Sequence, residues 1–350
     1  MPVTVGLLAD PGLPAEVTRG LVDDLPGALR AQVSDSVDWA VELRCRPLVL
    51  DDDGTIPIAE LADEELPRRG WDLLICVTDL PRLVGDRPVI AALSKAHRVA
   101  LASLPAVAGV RLRTRLRDIL VQLAAELGEG TVAVPRRKKP ATALRRLENP
   151  ADGIDTSLTL PGLRGQLMLL FGMVRDNRPW RLVPSLSRAL AAATGMAAFG
   201  VFYSSIWSMA DALSPVRLAV INLFAVAVMV LWLTAYNGLW EHGRGRDTRK
   251  QAVLYNAAGI TTLTFGVVCM YALLFVVTLA GALIVISGGY LAKTLGHEAS
   301  IGVYLHLAWL ASSMGTVAGA LGSSLESEDA VRRAAFSKRE RERRARNENG

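Results

Sequence analysis

Between Ser187 and Leu325 the chain holds four hydrophobic runs that are too long and too poor in charge for the core of a water-soluble domain. Crossing the hydrocarbon of a bilayer as a helix takes about 20 mostly apolar residues. The runs at 190–209, 218–236, 265–286 and 301–321 meet that requirement. The more polar Tyr255–Thr264 either lengthens the third helix or lies at the interface. A hairpin of two spans over 254–289 is the alternative, but no turn or charge interrupts Phe265–Ile286. Residues 187–325 therefore read as an α-helical membrane domain of four transmembrane helices.

Short cytoplasmic loops retain Lys and Arg, and this asymmetry orients the spans. Arg175, Arg178, Arg181 and Arg188 precede the first run, and Arg244, Arg246, Arg249 and Lys250 follow the second. Arg332, Arg333, Lys338, Arg339, Arg341, Arg343, Arg344 and Arg346 follow the fourth. The two remaining loops hold only Arg217 and Lys293. This pattern predicts a multi-pass protein of the inner (plasma) membrane with both termini cytoplasmic.

Residues 1–130 contain 14 Lys+Arg against 20 Asp+Glu and the remainder 25 against 14, so the basic character belongs to the membrane half. Topology already accounts for charge beside spans, and no nucleic-acid partner is expected. Cysteines 45, 76 and 269 make neither a metal-binding pair nor a disulfide framework, which fits a reducing cytoplasm.

Residues 1–128 read as a cytoplasmic α/β domain with a mixed or mostly parallel sheet. Val3–Ala9 is a compact, β-branched run, read as a first strand rather than a leader, and Asp10-Pro11-Gly12 turns into a helix over about Pro14–Arg30. Trp39–Leu50 alternates as a half-buried strand does. A turn at Asp51–Gly54, a short helix at Ile58–Glu65 and a buried strand within Trp71–Thr78 follow. Pro88–Leu93 and Arg98–Ser103 make two more strands, a hairpin across Ser94–His97, and Val110–Leu127 is an amphipathic helix. Strands alternating with helices predict an α/β sandwich.

Residues 129–186 read as a basic linker carrying Arg136-Arg137-Lys138-Lys139, with an amphipathic interfacial segment over Gln166–Leu182. Residues 326–350 form a charged cytoplasmic tail. The lipid bilayer is the expected partner, with anionic headgroups in reach of the linker and tail.

Motifs for chemistry are sparse. The contiguous carboxylates at Asp51–Asp53 lack the alternating ligands of a calcium loop, and His297-Glu298 lacks the second histidine of a zinc-protease pair, so no metal is expected. No phosphate-cradling loop or nucleophile elbow follows a strand, and no motif names a cofactor. One constellation remains. Asp10, Asp79 and Ser103 each end a strand ahead of a Pro-containing turn, and would gather at the carboxyl edge of the sheet if those strands are parallel neighbours. Arg82 and His97 could join them. These residues are the candidates for binding or catalysis, with capping of turns as the plain alternative. Alanine at Asp10 or Asp79 would then remove a function and spare the fold.

Within the runs His306 is the lone ionisable residue of the kind that marks proton paths. Ser204, Ser205, Asn222, Thr262, Ser312, Ser313 and Thr316 can hydrogen-bond between helices. Gly315 and Gly319 form a small-residue face for close packing, either within the bundle or as a seam between copies.

Trp71-Asp-Leu-Leu-Ile-Cys-Val-Thr-Asp79-Leu-Pro81, Arg87-Pro-Val-Ile, Ala102-Ser-Leu-Pro105 and the closing Gly319-Ala-Leu-Gly-Ser-Ser-Leu-Glu-Ser327 stand in an Arg-rich, Lys-poor chain. The whole resembles a family of uncharacterised actinobacterial integral membrane proteins. The resemblance implies the architecture and carries no activity to a residue. Three functions follow as expectations: a non-enzymatic membrane protein whose α/β domain binds a ligand or partner, a membrane-tethered enzyme using the sheet's carboxyl edge, and an oligomeric transporter or channel.

Overall fold

The computed structural model describes residues 2–51, 55–85, 87–107, 111–128, 145–148, 155–160, 162–177, 179, 184, 186–240 and 246–323. The chain divides into two compact units, the first through Asp176 and the second from Asn177.

The first unit is a mixed sheet of order β2-β1-β3-β6-β5-β8-β7, with β4 (Leu83–Val84) paired to β5. β1 (Val3–Ala9), β2 (Trp39–Cys45), β3 (Leu73–Thr78) and β6 (Val99–Ser103) run parallel. β5 (Arg87–Ser94), β7 (Arg145–Glu148) and β8 (Thr156–Thr159) extend the sheet in antiparallel fashion, and β5–β6 is the expected hairpin.

Every residue of β3 is buried, because helices cover both faces of the sheet. On one face α3 (Ile58–Arg69) inserts Ile58, Ala62 and Leu66 among Leu8, Leu74, Cys76 and Leu101. The other face of β3 lies under α1 (Leu13–Arg19) and α4 (Leu112–Gly128), and α4 also packs on α2 (Leu25–Gln32).

Two expectations change here. The single helix over about Pro14–Arg30 is two helices, interrupted at Gly20–Asp24 and restarted with Pro26 in the first turn of α2. Proline's fixed φ suits that position and its missing N–H costs nothing there. The stretch expected as linker supplies β7 and β8, and its apolar segment forms α5 (Gly162–Asp176) on the α/β unit. Residues 52–54, the basic run at 136–139 and the tail lie outside the described residues.

The second unit is helical. α8 (Pro215–Tyr236), the Ala252–Val285 part of α9 (Arg246–Val285) and α11 (Ile301–Gly322) are long and apolar enough to cross a membrane. A bent pair, α6 (Ser187–Phe202) and α7 (Ser204–Ala212), would make a fourth span. Large apolar side chains point outward along these helices, among them Leu223, Phe224, Val276 and Ile284. That outward apolar surface is what a lipid solvent demands and water penalises.

The continuous α9 replaces the hairpin alternative over 254–289. The first run departs from expectation: the chain is extended at Tyr203 and the two helices meet at 87°. The carbonyls this break frees are not left bare. The indole N–H of Trp207 donates to the carbonyls of Gly200 and Val201 at 3.1 and 3.2 Å.

The small-residue face of α11 is filled within the chain by α6. A Cβ at Gly315 would lie 2.5 Å from the carbonyl oxygen of Ala193, and one at Gly319 would lie 3.0 Å from that of Ala189. Only glycine lets the two backbones approach so closely. α10 (Gly288–Leu295) leads into α11, and the Tyr304 hydroxyl donates to the Ile286 carbonyl at 2.9 Å.

Candidate functional site

β1, β3 and β6 are neighbours and parallel, so the ends of three strands far apart in sequence share one edge. Thr78 pairs with Ser103 in register, and the Asp10 N–H donates to the Val77 carbonyl at 2.9 Å. Asp10, Asp79 and Ser103 are thus brought to the same carboxyl edge. That edge includes the point where the chain order reverses, since β2 and β3 flank β1 on opposite sides. Open α/β sheets bind ligands outside such a point, because the loops that leave it diverge and open a crevice.

The geometry of the edge is polar and closed on itself. Asp10 is fully buried; its Oδ2 accepts from the Thr78 hydroxyl at 2.6 Å and its Oδ1 from the Leu48 N–H at 2.8 Å. The Thr78 oxygen accepts in turn from the Leu80 N–H at 3.2 Å, and the Ser103 hydroxyl donates to the Leu80 carbonyl at 2.7 Å. One chain of hydrogen bonds therefore runs from the loop after β2, through β1 and β3, to β6. A charged acceptor makes the Asp10 bonds about twice as strong as neutral ones.

These bonds weigh against the expectation that alanine at Asp10 spares the fold. Removal of the carboxylate leaves the Leu48 N–H and Thr78 hydroxyl, both buried, without it. Asp79, buried to 7% exposure, begins the loop beyond this chain of bonds. His97 does not join the site. It lies in the β5–β6 turn, at the amino end of β6, with its Nδ1 3.0 Å from an Asp63 oxygen. Arg82 stays on the carboxyl side, three residues past Asp79, where its carbonyl accepts from the Val89 N–H.

Sequence reasoning missed Thr78, Arg46 and Glu65. Arg46 follows β2, donates its N–H to the Ala9 carbonyl, and sets its guanidinium 3.1 Å from Glu65, which is 1% exposed. Glu65 also accepts from Arg69 at 2.6 Å, four residues on along α3. The i,i+4 spacing of Glu65 and Arg69 was a visible signal; Arg46 carried none. Cys76, two residues before Thr78, is a neutral thiol pushed up to about 12 by burial and then by the nearby Asp10 charge. It is no nucleophile at neutral pH.

Among the described residues no three His, Cys, Asp or Glu side chains are grouped to hold a metal ion. In the helical unit most hydroxyls bond back to their own helix, as Thr262 does to Ala258, Ser313 to Trp309 and Thr316 to Ser312. This satisfies each hydroxyl's donor within its own helix. Other side chains do link segments, among them the Tyr271 hydroxyl with the Trp309 carbonyl at 3.3 Å and the Asn177 amide with the Thr262 hydroxyl at 3.1 Å. His306 is half-buried on α11.

No protein-family model, curated protein or solved structure matches the chain. The functional reading therefore rests on the edge itself.

Proposed function

We propose that this is a multi-pass protein of a bacterial plasma membrane whose α/β domain recognises a ligand or partner at the carboxyl edge of β1, β3 and β6. The observation that carries the reading is the gathering of Asp10, Asp79 and Ser103 from three distant segments at the reversal of strand order. Both oxygens of Asp10 and the hydroxyls of Thr78 and Ser103 hold the edge in shape. Side chains so engaged favour a rigid recognition surface over proton transfer. The Arg-rich flanks of the spans support cytoplasmic termini. Arg136–Lys139 and the tail arginines add attraction to anionic headgroups, about 1 kcal/mol for each charge near the surface.

The test is a thermal-shift screen of the full chain in nanodiscs against metabolite classes, repeated with Asp79→Asn and Ser103→Ala. A stabilising compound whose shift, measured against each variant's own unliganded melting temperature, disappears in either variant supports the reading. Compounds that stabilise all three proteins equally bind elsewhere and overturn it.

A further inference from the structure

α5 presents two apolar faces, and the α/β unit uses only one of them. Gly165, Leu169, Gly172 and Met173 are buried. The contact is close enough that a Cβ at Gly172 would lie 2.0 Å from the Pro105 carbonyl oxygen, and one at Gly165 would lie 2.7 Å from Leu160 Cβ. α5 is therefore fixed to the turn that follows Ser103. On its other side Leu163, Leu167 and Phe171 are 78, 65 and 57% exposed. At 3.6 residues per turn, these three fall with Leu170 and Val174 in an arc of about 100°. Arg164, which is exposed, borders that arc beside Phe171 on the same wheel, whereas Arg175, one position further round, has its Nε and one terminal guanidinium nitrogen buried.

We infer that this outer face of α5 seats on the membrane surface, with its apolar arc among the acyl chains near the headgroups and the exposed Arg164 at the phosphates. A docked surface helix has this composition: a continuous apolar arc edged by cations whose stems can reach up to the anionic layer. Chain continuity supplies the second support. Ten residues separate Asp176 from Ser187, where the first candidate membrane helix begins. Arg178, Trp180 and Arg181 lie in that stretch, so cations and an amphipathic ring continue the pattern. At no more than about 3.6 Å per residue, this tether leaves α5 within reach of the surface of a bilayer that α6 would enter. An apolar arc beside an exposed arginine and tethered to a candidate span fits lipid better than open water or a second copy of the chain.

The test uses the full chain in nanodiscs of phosphatidylethanolamine and phosphatidylglycerol. Cys45→Ser and Cys269→Ser remove the accessible thiols, and the buried Cys76 stays. A nitroxide is attached in turn to Leu163→Cys, Leu167→Cys and Phe171→Cys, with Glu60→Cys as the aqueous control. Collision rates with oxygen and with a neutral nickel chelate are read by electron paramagnetic resonance. Continued resistance of Cys76 to thiol reagent reports that each variant is folded. High oxygen and lost nickel access at the three sites, with the reverse at Glu60→Cys, is the expected result. Nickel access equal to the control places the face in water and overturns the inference. Exclusion of both reagents means that protein covers the face, and overturns it equally.

Discussion

The Thr78 hydroxyl donates to Asp10 Oδ2 across 2.6 Å, joining the carboxyl ends of two parallel strands whose residues lie 68 positions apart. Because Asp10 is fully buried and also accepts from the Leu48 N–H, it holds three segments in register. Asp10→Ala should destabilise the α/β unit by about 3 kcal/mol, the cost of orphaning buried donors. Asp10→Asn, which can still accept from one donor, should cost less. Urea titration of both variants in detergent measures the difference, and near-wild-type stability of the alanine variant would show that the bonds contribute little.

Cys76 should keep its proton well past neutral pH, because burial and Asp10 push it up to about 12. The unfolded chain's thiol ionises near its ordinary value of 9.0. The folded pKa is the raised one, so its stabilising contribution is complete below the unfolded value and is lost as pH climbs toward the folded one. Unfolding should therefore become easier above about pH 9. Thiol-reagent kinetics supply the check: the exposed Cys45 should react quickly, and Cys76 only on unfolding.

His297 Nε2 lies 2.8 Å from Asp211 Oδ2, and that hydrogen bond raises the histidine's pKa. The raised folded value means that the pairing stabilises at pH below the ordinary 6.5 and fades as pH rises through the folded value. The thermal midpoint in detergent should fall with rising pH in that window. Asp211→Asn should abolish this component of the pH dependence; an identical profile in the variant would assign it elsewhere.

Gly315→Ala and Gly281→Ala make a matched pair. A Cβ at Gly315 meets a backbone oxygen at 2.5 Å, whereas one at Gly281 meets nothing within 4 Å. The first should lower the stability of the helical unit by about 1–3 kcal/mol through forced separation of α6 and α11. The second should be neutral or favourable by about 0.5–1 kcal/mol, since alanine is the better helix former. Thermal unfolding in detergent separates the two outcomes.

The parts legible in the sequence were those whose burial writes a repeating pattern. Val3–Ala9 and Leu73–Thr78 read as strands because a sheet covered on both faces demands unbroken apolar, β-branched runs. β7, with the sequence Arg-Arg-Leu-Glu, owes its place to pairing with β8 and has no such run. Gly20 and Pro26 did signal a helix break, yet amphipathic spacing on either side concealed it. The shared punctuation of Asp10, Asp79 and Ser103 was visible, but their adjacency depended on strand order, which no local pattern encodes. Arg46 and Thr78 were hidden for the same reason. The bend at Tyr203 has neither proline nor glycine at the break itself, and its compensating donor, Trp207, is meaningful only once the bend exists.

α9 runs unbroken for 40 residues. At 1.5 Å per residue that is a rod about 60 Å long, twice the thickness of a bilayer's hydrocarbon. A straight crossing would use about half of that length, so a span here would have to tilt or carry its remaining turns beyond the hydrocarbon, like the free end of a cantilever. With no break in the helix along that length, a tilt of the crossing part would be carried to the end beyond it.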